Sequence, residues 1–142
     1  MRSVKNLLAI KSYRVISVEK NTSVLEALQI MLEANISALL VIENGKLEGI
    51  FTERDYARKI ILKGRSSKET QIEEAMTSNL ITVSLTDNID SCMQIMTTQH
   101  IRHLPVIEDG KVVGMISIGD LVRFVIEDQK KTIAQLENYI NT

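Results

Sequence analysis

Very little in this chain of 142 residues is suited to covalent chemistry. The one cysteine, Cys92, excludes an internal disulfide and a paired-cysteine metal motif, and its place on an apolar helical stripe marks it as a small buried hydrophobe. The two histidines, His100 and His103, share one short segment where a helix should give way to a strand, so no metal ion is expected between them. No nucleophile elbow or Walker loop is present, and the chain does not read as an enzyme. Seventeen basic side chains balance 18 acidic ones. Such a balance provides no broad positive field, which sets nucleic acid and anionic membrane aside as partners. The longest apolar run near the start, residues 7–10, is too short for a signal-peptide core or a membrane span, and a cytoplasmic protein is expected.

What the chain does contain is a copy of itself. Displaced by 65 residues, positions 16–61 align with 81–126 without a gap, with 16 identities among 46 pairs. The stretch GIFTERD, residues 49–55, returns as GMISIGD, residues 114–120. A repeat of about 60 residues buries too little surface to be comfortably stable alone, so the two copies should share a core and function should lie where they meet. The organisation reads as an N-terminal segment with repeat 1 over residues 1–65, a linker over 66–76, and repeat 2 with a C-terminal helix over 77–142.

Within each repeat the pattern predicts strand, helix, strand, strand, helix, an α/β (α+β) unit. RVISV, residues 14–18, is rich in β-branched residues and reads as a strand, and LITVS takes the same place in the second copy. Val24, Ala27, Leu28 and Met31, matched by Ile89, Cys92, Met93 and Met96, recur at helical spacing, with Asn21, Thr22 or Ser23 as the cap and Glu26 placed three after Ser23 as a capping box needs. Asn44-Gly45 and Asp109-Gly110 then sit between apolar runs and predict tight hairpins. A short amphipathic helix is expected around Val4, Leu7 and Leu8. The stretch containing GRSSK reads as a solvated linker more readily than as a phosphate contact. Ile126, Gln129, Ile133, Leu136 and Ile140 follow a heptad spacing on a long terminal helix, and such a seam asks for a second helix, most simply in a homodimer.

The repeated Gly-x-x-[Thr/Ser]-x-x-Asp admits two readings. In one, Thr52/Asp55 and Ser117/Asp120 are helix caps and nothing more, each contributing about 1 kcal/mol. That leaves unexplained the glycines at 49 and 114, three residues earlier, inside strands. In the other reading, a strand end with a hydroxyl and a carboxylate one turn into a helix holds a phosphoribosyl group, the carboxylate taking ribose hydroxyls.

At these residues the chain resembles the cystathionine-β-synthase (CBS) domain family in its tandem form, the Bateman module. The resemblance runs over residues 10–128 and rests on RVISV and LITVS, NISALLVIENGKLEGIFTERD and IRHLPVIEDGKVVGMISIGD taken together in register. TERDYARKI, GRSSK and SIGDLV are similar to small stand-alone pairs of bacteria and plant organelles. The resemblance implies two repeats about a pseudo-twofold axis, sheets facing and helices outside, with two clefts that bind adenosyl ligands such as AMP, ATP, NAD or S-adenosylmethionine. It implies that Asp55 and Asp120 take ribose hydroxyls, that Thr52 and Ser117 contact ribose or phosphate, and that backbone near Ile16, Val18 or Thr82 lines the base. Ser37 and Ala38, or Arg102, His103 and Pro105, would complete the walls, while Pro105 reads equally well as an edge-strand residue and His103 as a surface histidine.

The two clefts should differ. Arg54 and Arg58 lie four apart on one helix face, whereas their counterparts are Gly119 and Arg123. If Arg54 faces the cleft and is not simply paired at the surface, the Thr52/Asp55 site favours two or more phosphates, as in NAD or ATP, and the Ser117/Asp120 site suits AMP. Arg102 and His103 belong near the second site unless each cleft borrows from the opposite repeat. The chain thus reads as a regulatory module that acts on a protein partner or on its own dimer. The alternative is a dimeric scaffold without ligand, its caps being only caps.

Overall fold

Two hairpins form the centre of the molecule, and each is set by its own turn. Asn44 and Gly45 have φ of 52° and 78°, and Asp109 and Gly110 have 51° and 76°. Positive φ at both central residues gives the type I′ geometry that matches strand twist. The computed structural model describes residues 2–11 and 14–141. In it β2 (Ala38–Glu43) pairs antiparallel with β3 (Lys46–Thr52), and β4 (His103–Glu108) pairs antiparallel with β5 (Lys111–Ser117). Both pairings slip at the same place, leaving Glu48 and Val113 as the extra residues of equivalent bulges.

The expected first strands are much reduced. In repeat 1 only β1 (Ser17–Val18) pairs, parallel to β2. In repeat 2 the LITVS strand does not form: Val83 alone bridges Val106, through Val83 N to Pro105 O at 3.0 Å and Ile107 N to Val83 O at 2.8 Å. The apolar residues before it, Leu80 and Ile81, border a cleft instead of extending the ladder.

Around the hairpins lie α1 (Val4–Ile10), α2 (Val24–Ala34), α3 (Glu53–Asp55) with a π-helical continuation Tyr56–Ile61, α4 (Ile89–Gln99) and α5 (Ile118–Asn141). Ser23 caps α2 by accepting from the Glu26 amide at 3.1 Å, and Asn88 caps α4 by accepting from Ser91 at 2.7 Å. Each helix ends on a left-handed residue, Asn35 or His100. The linker runs through a single 3-10 turn, Ile72–Glu74.

Strand alternation decides the layering. In β2, Leu39 and Val41 enter a core with Val24, Ala27, Met31 and Phe51, while Ala38 and Leu40 point the other way. These last two meet Ile50 and, from the second repeat, Val112 and Met115. A strand that is apolar on both faces must be covered on both faces. The sheets therefore face each other with helices outside, and β3 lies against β5 as equivalent elements do across a twofold. A finding that the pattern did not give is the place of α1: Val4 and Leu7 are buried in the second repeat's core with Ile89, Leu104 and Ile116. On α5, Leu121 is fully buried, but Ile133, Leu136 and Ile140 are 55%, 57% and 78% exposed, so the heptad seam lies open.

Candidate functional site

Thr52 ends β3 and caps α3. Its hydroxyl accepts from the Asp55 amide at 3.1 Å, and Asp55 Oδ2 accepts from the Thr52 amide at 3.0 Å and the Thr52 hydroxyl at 3.1 Å. The capping box is thus complete. The second oxygen, Asp55 Oδ1, accepts from the Thr77 hydroxyl at 3.0 Å and lies 3.3 Å from Lys59 Nζ. Lys59 in turn donates to the Ala75 and Met76 carbonyls at 3.0 and 3.2 Å. A carboxylate only 8% exposed is thereby held at the base of a cleft with one oxygen facing groups that can exchange partners.

The strand glycines have a packing explanation. A Cβ on Gly49 would stand 2.6 Å from Met76 Sδ and 3.0 Å from the Thr77 carbonyl, and one on Gly114 would stand 2.9 Å from Leu8 Cδ1. They admit the linker end and α1, respectively. No ligand is needed to account for them.

The cleft encloses about 1320 Å³ between the repeats. Repeat 1 provides Ser37, Thr52, Arg54, Asp55, Arg58 and Lys59, repeat 2 provides Arg102, His103 and Pro105, and Thr77, Asn79, Leu80 and Ile81 form the wall between them. Four arginine and lysine side chains, Arg54, Arg58, Lys59 and Arg102, face two carboxylates, Glu53 and Asp55, so the cleft favours an anion. Arg54 donates to the His100 carbonyl at the end of α4 at 3.1 Å, and the Ser37 hydroxyl lies 3.1 Å from His103 Nε2. Both contacts join the repeats across the cleft. Burial pushes His103 below the usual histidine range; Asp120 works against that, and Lys11 and Arg102 reinforce it. The ring is therefore neutral at physiological pH.

Several predicted site residues lie elsewhere. Val18 faces the first core, with Ile16 packed against it, and Ala38 is buried between the sheets, so their side chains do not border this cleft. Thr82 is exposed, one residue beyond the lining Ile81. Arg102 and His103 border the Thr52/Asp55 cleft of the opposite repeat, the borrowing that the sequence left open, while His103 also pairs with Ser117 across the hairpin and feels the Asp120 charge. Ser117, Gly119 and Asp120 do not border this cleft either. There Ser117 and Asp120 exchange cap bonds of 2.8 and 3.1 Å. Asp120 also accepts from Lys11 and, at 2.8 Å, from Arg123. Burial alone would raise the Asp120 carboxyl; Lys11 and the Ser117 amide outweigh it and bring it below the ordinary value. Lys59, Lys11 and Thr77 escaped the sequence reading, since their partners are fixed by packing of the linker and of α1. The one available signal was that residues 76 and 77 fall opposite 11 and 12 when the 65-residue displacement is extended.

A repeated α+β unit whose sheets face across a cationic cleft with a cap-held carboxylate defines a class of paired domains. The chain belongs to the CBS domain family, whose profile matches residues 5–62 and 72–127. The mitochondrial CBS domain-containing protein CBSX3 of Arabidopsis thaliana is 45% identical over 123 residues, 83% of this chain and 60% of that protein, so the chain spans less than two thirds of that relative. A putative signal-transduction protein with CBS domains from Burkholderia ambifaria MC40-6 superposes with a TM-score of 0.86 at 46% identity, over 89% of this chain and 96% of that one. The CBS domain pair of protein MJ0100, solved in complex with 5′-methylthioadenosine and S-adenosyl-L-methionine, gives a TM-score of 0.80 at 32% identity, over 90% and 98% of the two chains. No helix among the described residues is long and apolar enough to cross a membrane.

Proposed function

We propose that this chain is a non-enzymatic regulatory module of the cytoplasm that binds an adenine nucleotide, AMP, ATP or NAD, in the cleft at Thr52 and Asp55. The observation that supports the reading is the convergence, in one cleft, of a carboxylate from repeat 1 and cations from both repeats. Asp55 Oδ1 suits ribose hydroxyls, because exchanging the neutral Thr77 donor for a ribose donor conserves the bond count. Arg54, Arg58 and Arg102 suit phosphate oxygens, which guanidinium groups pair bidentately. Leu80, Ile81 and Pro105 give an apolar wall for a base. The volume exceeds the range of about 300–1,000 Å³ common for small-molecule sites, which leaves room for a polyphosphate. The adenosyl ligands of the MJ0100 pair support the ligand class.

A ligand that takes Arg54 away from the His100 carbonyl exchanges an inter-repeat contact for a ligand contact. It shifts the arrangement of the repeats only by its differential affinity for the two states. The readout is a partner protein or a second copy docked on the open α5 seam. Another reading, a scaffold without ligand, is favoured by the completeness of both capping boxes in the chain alone. Thermal-shift scans with AMP, ATP, NAD and S-adenosylmethionine separate the two. A nucleotide at 100 times its Kd adds about 2.7 kcal/mol to stability. No shift with any of them supports the scaffold.

A further inference from the structure

The two equivalent carboxylates are neutralised from different sources. Asp55 borders the open cleft, and its outward oxygen meets a neutral hydroxyl and a lysine shared with two carbonyls. Asp120 instead receives the Lys11 ammonium from 109 residues away, together with the Arg123 guanidinium. Lys11 Nζ also donates to the Met115 carbonyl at 3.1 Å. In repeat 1 the equivalent residue, Ile50, pairs through its backbone with Thr77. Where the first repeat is closed by a strand edge, the second is closed by a cation.

We propose that Lys11 is a built-in occupant of the second ligand position, so that the chain takes one adenine nucleotide, at Thr52/Asp55, and not two. The proposal rests on the reading of the cleft given above. A ribose hydroxyl offers Asp120 a hydrogen bond but no charge, whereas the Lys11 ammonium brings both, so exchanging it for ribose would leave a carboxylate only 8% exposed with less opposing charge. Lys11 is also held there by its own element. Val4 and Leu7 are buried in the second core, Leu8 covers Gly114, and the Val4 and Lys5 amides donate to Asp87 and Leu85 at 2.9 and 3.0 Å. Ser3 and Asn6 close a capping box at the start of α1. The lysine thus arrives on an anchored helix, and the second position is filled by the fold itself.

Calorimetric titration of the full chain with ATP, and separately with AMP, tests this. Wild type should bind with a stoichiometry of one, and Lys11→Met, which keeps the aliphatic stem, should bind two. Adding Asp120→Asn to Lys11→Met should return the count to one, and Lys11→Arg should behave as wild type. Asp55→Ala, which leaves Lys11 in place, should bind neither nucleotide, so the proposal is tested even if Lys11→Met does not fold. Two sites in wild type, one in a folded Lys11→Met, or binding that survives in Asp55→Ala would each overturn the inference. Absence of binding in wild type and every variant would instead overturn the reading of the cleft, and the inference with it.

Discussion

Replacing Gly49 with alanine separates a glycine kept for chain packing from one kept for a ligand. The added Cβ would lie 2.6 and 2.9 Å from Met76 Sδ and Cγ and 3.0 Å from the Thr77 carbonyl oxygen. Met76 can rotate away, but the carbonyl cannot move without lengthening the Ile50 N to Thr77 O bond of 2.9 Å. Overpacking of this kind costs about 1–3 kcal/mol. Removing a glycine from a strand returns about 0.5–1 kcal/mol. The net expectation is a loss of about 1 kcal/mol for Gly49→Ala, within a span of about 0–2.5 kcal/mol. At Gly114 the nearest atoms are the methyl ends of Leu8, at 2.9 and 3.1 Å, which a rotamer change relieves, so Gly114→Ala should stay within about 1 kcal/mol of wild type. Urea unfolding with an unchanged slope m would measure both. Stability unaltered in Gly49→Ala, with nucleotide affinity lost, would refute the packing account.

Other consequences follow from single groups. Asn88→Ala removes the acceptor for the Ser91 amide and should cost about 1 kcal/mol without altering nucleotide affinity, as unfolding and titration in parallel would show. Burial raises the Cys92 thiol to about 11, so a thiol reagent at pH 8 should label it only after denaturant is added; labelling of the native protein would contradict its burial. His103 has a folded value below its ordinary 6.5, so the unfolded chain takes up the proton first. Its contribution is present above about pH 6.5 and is lost as pH falls below that, and His103→Gln should flatten this part of the stability profile. On α5, Ile133→Asp with Leu136→Asp should halve the mass seen by sedimentation if a second copy covers the seam; an unchanged mass would place the contact elsewhere.

The hairpins and the α2 and α4 stripes were legible because each depends on residues a few positions apart: Asn44-Gly45 sets its turn locally, and Val24, Ala27 and Met31 share a face by helical period alone. The first strands were not, since residues 14–18 and LITVS carry the right propensity but only Ser17, Val18 and Val83 find a partner. Propensity does not say which residues leave a sheet to line a cleft. At the site, Thr52 and Asp55 could be read from their spacing, whereas Lys59, Thr77 and Lys11 act through contacts made by the linker and α1. The assignment of Arg102 and His103 to the opposite repeat's cleft likewise depends on how the sheets face, which no local pattern encodes.

Amide hydrogen exchange with and without saturating ATP tests the central claim most directly, because it locates the ligand on the chain. Slowed exchange should fall on three separate stretches at once, residues 52–59, 77–81 and 100–105, which only the cleft between the repeats brings together. Protection confined to one of them, or found on α5 alone, or absent under conditions where ATP is bound, would contradict the account.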